Sequence, residues 1–101
     1  MNNHGPTPPE KLTALAAILK SHPGTTCIAQ CTRIRAALSQ FSVTTFEAMR
    51  HLDCYDPRAR VMQLRNAGER IDTHWHTTTT EAGVNHRVGM YVLASQGGAS
   101  E

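Results

Sequence analysis

The stretch that decides the fold runs Val43-Thr44-Thr45-Phe46-Glu47-Ala48-Met49-Arg50-His51-Leu52, then Asp53-Cys54-Tyr55-Asp56-Pro57. Thr44 followed three residues on by Glu47 is a capping box. The threonine hydroxyl accepts from the Glu47 amide, and the carboxylate reaches back to the Thr44 amide. Val43 and Ala48 are spaced as a weak hydrophobic staple across that turn. The pattern predicts a short helix ending near His51-Leu52, with Phe46, Met49 and Leu52 facing inward. Asp53-Cys54-Tyr55 makes a tight connection. Asp56 then caps a new helix with Pro57 in its first position, where the missing N–H costs nothing. Gly68 supplies the stop, so this second helix covers about Pro57 to Ala67.

Downstream of Gly68 the period changes from helical to alternating. Ile71, Thr73 and Trp75 alternate with Asp72, His74 and His76, as in a strand. Trp75, beside Ile71, is expected in the core, packing the hairpin against the helices. Residues 77–85 are polar with a turn at Gly83, and His86 to Leu93 reads as the return strand. Val88, Met90 and Val92 share one of its faces; Arg87, Tyr91 and Leu93 share the other. Both faces carry apolar residues, so the pattern does not choose between them.

Upstream, two more helices are expected. Thr7 is placed to cap one that opens at Pro8-Pro9-Glu10 and stops at Pro23-Gly24, with Leu12, Leu15, Ala16 and Leu19 on its inner face. Thr25-Thr26 can cap the next. There Cys27, Cys31, Ile34 and Leu38 form a narrow apolar stripe, with Arg33 and Arg35 off it, towards solvent. Residues 1–7 and 95–101 are expected to be flexible tails around one folded unit over 8–94. The order is helix, helix, short helix, tight turn, helix, hairpin. It spells a mainly α fold with a small β-hairpin: a winged helix-turn-helix preceded by an extra N-terminal helix.

Composition narrows the function. With 101 residues there is room for one domain. Hydrophobic residues make up 40 % and charged residues 18 %, which excludes a charge-driven disordered chain. No apolar run approaches the ~20 residues of a membrane span, and the polar N-terminus is unlike a secretory signal. Net charge is only +2, but of ten basic residues only Lys11 and Lys20 are lysine. The others are arginines, whose planar fork suits phosphates and guanine edges. Three cysteines, Cys27, Cys31 and Cys54, fit a reducing, intracellular setting better than a disulfide framework. Cys27, Cys31, His51 and Cys54 have no recognised zinc spacing, and Cys27 and Cys31, on the apolar stripe, read as small hydrophobes rather than ligands. No nucleophile or phosphate-loop motif is present, so neither enzyme activity nor a cofactor is expected.

The ordered motifs resemble those of the small winged helix-turn-helix proteins common in bacteriophages and bacterial prophages. The matching pieces are Arg33-Ile34-Arg35-Ala36-Ala37-Leu38, Val43 to Ala48, Arg60-Val61-Met62-Gln63-Leu64-Arg65-Asn66-Ala67-Gly68 with Ile71, and Tyr91-Val92-Leu93. They span residues 30–94, so the first helix is a local addition. The resemblance implies DNA binding in a regulatory or recombination role in the bacterial cytoplasm, at the nucleoid.

At about 100° per residue, Pro57, Val61, Leu64 and Gly68 share the core face of the second helix of the pair. Arg58, Ala59, Met62, Gln63 and Asn66 cover the opposite face, flanked by Arg60 and Arg65. Gln63 and Asn66 carry the donor–acceptor pair that suits adenine, Arg58 can meet guanine or phosphate, and Met62 can touch a thymine methyl. Thr45, Arg60, Arg65 and, in the wing, Arg87 are the expected phosphate contacts. A homodimer through the N-terminal helix would double the footprint on double-stranded DNA, although that helix can equally cap the core. Two other roles fit the same scaffold: a protein-interaction module for a host or viral protein, and an excisionase-like protein that bends DNA.

Overall fold

Local chemistry sets most element boundaries. The computed structural model describes residues 7–94, in the order α1 (Pro9–Ser21), α2 (Cys27–Leu38), β1 (Val43–Thr44), α3 (Thr45–His51), α4 (Pro57–Asn66), β2 (Ile71–Thr79) and β3 (Asn85–Leu93). The expected tails, apart from Thr7, lie outside the described residues. Thr26 caps α2 by accepting from the Ala29 amide at 3.1 Å, and Asp56 caps α4 by accepting from the Ala59 amide at 3.3 Å. The capping box of α3 is complete, with both of its bonds at 3.0 Å. Gly68, at φ 105°, takes the left-handed conformation that ends α4.

The sheet has three strands, in the order β1-β3-β2, all antiparallel. The hairpin registers Ile71 with Leu93 and Thr79 with Asn85, so nearly all of both strands pair. The two residues of β1, registered with Tyr91 and Met90, add an edge that the alternation alone does not reveal. The face left open by the pattern is also decided. Tyr91 is buried and pairs with Thr73 and Val43, which turns Tyr91, Leu93 and Ile71 towards the helices.

The core joins Leu15 and Ile18 of α1 to Ile34, Ala37 and Leu38 of α2, Ala48 of α3, Val61 of α4, and Leu52 and Cys54 from the turn. Several faces differ from the sequence expectation. In α1 the buried residues are Lys11, Leu15 and Ile18, while Leu12 and Ala16 are exposed. The face has rotated because Lys11 is recruited inward by Glu47, 2.8 Å away. Thr7 does not cap α1; Pro8 is the N-cap, and the Thr7 hydroxyl donates to Glu47 instead. In α2 the apolar stripe fades at its N-terminal end, where Cys27 is exposed and Cys31 only half-buried. In α3 the inward residues are Glu47 and Ala48, with Phe46 and Met49 on the surface.

The two largest corrections concern Arg33 and Trp75. Arg33 is not towards solvent; it is fully buried. Its guanidinium donates to the carbonyls of Leu52 (2.8 Å), His22 (2.6 Å), Gly24 (2.9 Å) and Asp53 (3.4 Å). A guanidinium offers five donors in a fixed fork, and two loops with unpaired carbonyls supply the acceptors. Trp75 is not in the core; it is 58 % exposed, although its register partner Gly89 is buried and accepts from Thr45 of α3.

Candidate nucleic-acid interface

The α3–α4 corner, residues 52–56, is held by one buried arginine. Asp53 adopts φ 51°, a left-handed conformation that aspartate tolerates better than most residues. Its carbonyl and that of Leu52 accept from Arg33, so the turn between the two helices is clamped from beneath by α2. The other end of the same guanidinium holds the α1–α2 loop through His22 and Gly24. Arg33 thereby fixes how α3 and α4 meet. Sequence reasoning misses this role because its partners are backbone atoms in distant segments.

Glu47 ties α1 to the same corner. Its carboxylate accepts from the Thr44 amide, from Lys11 Nζ at 2.8 Å and from the Thr7 hydroxyl at 2.7 Å. Burial pushes this carboxyl up, but the hydrogen bonds from Lys11, Thr44 and Thr7 outweigh it, and the pKa lies below the ordinary 4.5.

On α4, Pro57 and Val61 face the core and Leu64 packs partly against it. Arg58, Met62, Gln63 and Asn66 are exposed, as the helical spacing predicts, and Ala59 is half-buried. The flanking residues are more committed. Arg65 forks onto the Ile71 carbonyl at 2.9 and 2.6 Å and reaches the Thr73 hydroxyl at 3.0 Å, bracing α4 against β2. Arg60 donates to the Cys27 sulfur at 2.8 Å. Thr45, at the start of α3, spends its hydroxyl proton on the Gly89 carbonyl at 3.2 Å. These three hold the scaffold together, whatever else they touch.

Arginine use therefore divides the molecule. Arg33, Arg35, Arg60 and Arg65 make bonds within the fold, Arg35 through an ion pair with Glu69 at 3.0 Å. Arg50, Arg58 and Arg70 are exposed and make no hydrogen bond or ion pair among the described residues. Arg87 is exposed in the hairpin, with its guanidinium 5.1 Å from the centre of the Trp75 ring. Trp75 is the residue that sequence reasoning misplaces here, since strand alternation assigns a face but not how far each side chain on that face is covered.

Cys54 is sealed in the core, and burial pushes its thiol up. Among the described residues, no three metal-ligating side chains gather to hold an ion.

Helix, short strand, a pair of helices at a tight corner, and a hairpin closing a three-stranded sheet is the winged helix-turn-helix order. The sequence also matches the family described as the winged helix-turn-helix domain, over residues 29–96. The chain belongs to this family. In its terms α3 and α4 are the helix-turn-helix pair and β2–β3 form the wing; α1 precedes the matched region. Winged helix-turn-helix domains are in general DNA-binding modules without catalytic activity. No curated protein and no solved structure matches the chain. Among the described residues, no helix is long and apolar enough to cross a membrane.

Proposed function

We propose that this protein is a sequence-specific, double-stranded-DNA-binding regulator of transcription of the phage or prophage type, acting in the cytoplasm at the nucleoid. One observation carries the reading. The recognition helix is fixed on its core side and at both flanks, while Arg58, Met62, Gln63 and Asn66 turn outward. Gln63 and Asn66 read base edges in the major groove, Met62 meets thymine methyls, and Arg58 takes phosphate or guanine. Arg87 brings its charge to the flanking groove. Thr45, Arg60 and Arg65 have donors committed within the fold, so their role is to hold the reading surface in register, with phosphate contact secondary.

A single module of this kind buries only ~600–1,000 Å² on DNA, which favours a dimer for tight binding. The stripe Leu12, Ala16 and Leu19 on α1 supports that arrangement: Leu12 and Ala16 are exposed and Leu19 is half-buried. Selection of bound duplexes from a random library, with affinity followed over a salt series, tests the reading. The expected result is an enriched motif and a steep loss of affinity with salt. Binding without enrichment would replace it with an architectural, DNA-bending role.

A second reading has its own support. Phe46 is 45 % and Met49 41 % exposed, one turn apart on α3. An apolar pair of this kind suits a host or viral protein partner. Binding that is indifferent to salt and to DNA, and lost on Phe46→Ser, would favour it.

A further inference from the structure

Two cysteines touch the recognition helix. Cys27 and Cys31 stand one turn apart at the start of α2. Arg60 of α4 donates to the Cys27 sulfur at 2.8 Å. The Cys31 thiol donates to Gln63 Oε1 at 3.5 Å and approaches the Arg60 carbonyl at 3.7 Å. Cys27 is exposed, whereas Cys31 is half-buried, and burial pushes the Cys31 thiol up against the opposing pull of Arg60. Both cysteines line an open apolar groove of about 560 Å³ between α2 and α4, walled in part by Ile28, Ala36 and Leu64. His22 and Arg35 also line it, and no acidic side chain does. Finally, Arg60 Nε is buried and has no hydrogen-bond partner among the described residues.

These observations choose a class of ligand. A guanidinium against the sulfur disfavours a metal cation there. It favours a reagent that brings negative charge. The groove is of a size that holds a small molecule.

We propose that Cys27 is a modification site for small, carboxylate-bearing disulfides, with Arg60 steering the reagent and the α2–α4 groove receiving the adduct. In the step, the Cys27 thiol gives its proton to solvent and its sulfur attacks one sulfur of R–S–S–R. The reagent's S–S bond breaks, Cys27–S–S–R forms, and R–S⁻ leaves. Cys27 is oxidised, and the departing half of the reagent is reduced. The adduct takes from Arg60 its sulfur acceptor and lies beside Gln63. Resting on the DNA-binding reading, modification then weakens DNA binding until a reductant reverses it.

The test uses the full chain and three disulfides of different charge. They are the dianionic 5,5′-dithiobis(2-nitrobenzoate), neutral 4,4′-dithiodipyridine and cationic cystamine. Each rate on the folded protein is divided by its rate on the urea-unfolded chain, and mass spectrometry locates the adduct. The expected result is first labelling at Cys27, with a normalised rate for the dianion about tenfold above that for cystamine. The preference should shrink with added salt in the unaltered protein and vanish in Arg60→Met, while Arg60→Lys retains part of it. Equal normalised rates for the three reagents, or first labelling at Cys31 or Cys54, overturn the proposal. DNA affinity of the adduct is measured separately by anisotropy on a labelled duplex. Unmodified protein that binds no DNA would sink the DNA-binding reading and leave the modification site standing.

Discussion

The helical body and the wing invert the usual arrangement of residue types. In the body, Arg33 is fully buried, and Lys11 and Glu47 are 7 % and 5 % exposed, all three with short hydrogen bonds. In the wing the single tryptophan, Trp75, is 58 % exposed under an arginine. Charged groups go inside where loops present backbone acceptors, as for Arg33, or where opposite charges meet, as Lys11 and Glu47 do. The aromatic stays outside, with an arginine over its ring. The lesson is that strength of attachment, rather than residue polarity, separates framework from candidate interface.

If that division is right, the largest effects should come from the buried charges. Arg33→Met leaves four carbonyls without their donor, and the expected loss is about 3–5 kcal/mol of unfolding free energy in a urea titration. Arg33→Lys should recover little, because one ammonium cannot span both loops. A cost below ~1 kcal/mol would show that the loops resatisfy themselves with water and that the clamp at the corner is dispensable.

Glu47 comes next. Its pKa is lowered in the folded state, so the stability it contributes is present above its unfolded value of 4.5 and is lost as pH falls through the lower folded value. Glu47→Gln should cost about 2–4 kcal/mol at pH 7, where Lys11 is left buried without its counter-ion. The variant should lose less on acidification than the parent does. Parallel stability-versus-pH curves for parent and variant would refute the assignment.

Much of this framework is legible in the sequence, for a reason particular residues make clear. The capping box at Thr44, the caps at Thr26 and Asp56, Pro57 at the head of α4 and Gly68 at its end all act within three or four residues of chain. The alternation from Ile71 to Trp75 marks β2 in the same local way. What is not legible depends on distant partners. Arg33 meets carbonyls 11 and 19 residues away, Lys11 meets Glu47 36 residues away, and Thr45 meets Gly89 44 residues away. The candidate interface divides along the same line. Arg58, Met62, Gln63 and Asn66 lie outward because the helical period alone decides it. Arg60 and Arg65, on the flanks of that helix, are claimed by Cys27 and by the Ile71 carbonyl, which no spacing rule foresees.

The exposed face of α4 should behave oppositely to the body. Asn66→Ala and Gln63→Ala are expected to leave the urea midpoint almost unchanged and to cost about 1–3 kcal/mol in discrimination between bases. Arg58→Ala should weaken binding to all duplexes and lower the salt slope by about one unit. Arg65→Ala makes the contrast within a single helix. It should lower stability first, because the Ile71 carbonyl loses its fork, and DNA affinity only as a consequence. If both Gln63 and Asn66 can be removed with the selected motif intact, α4 is not the reading element.

The smallest effect expected is the stability change on altering Trp75, and its smallness is the test. A tryptophan packed in a core costs about 3–5 kcal/mol when truncated. Trp75→Ala removes instead a half-open ring whose described partner is Arg87, so the urea midpoint should shift by no more than ~0.5–1 kcal/mol. Because Trp75 is the sole tryptophan, its emission in the unaltered protein should already be close to that of the unfolded chain and accessible to iodide. Arg87→Ala should raise that accessibility by uncovering the ring face. A blue-shifted, iodide-protected emission, or a core-sized loss of stability, would mean that the wing is packed as tightly as the body, and the division between the two regions would fall.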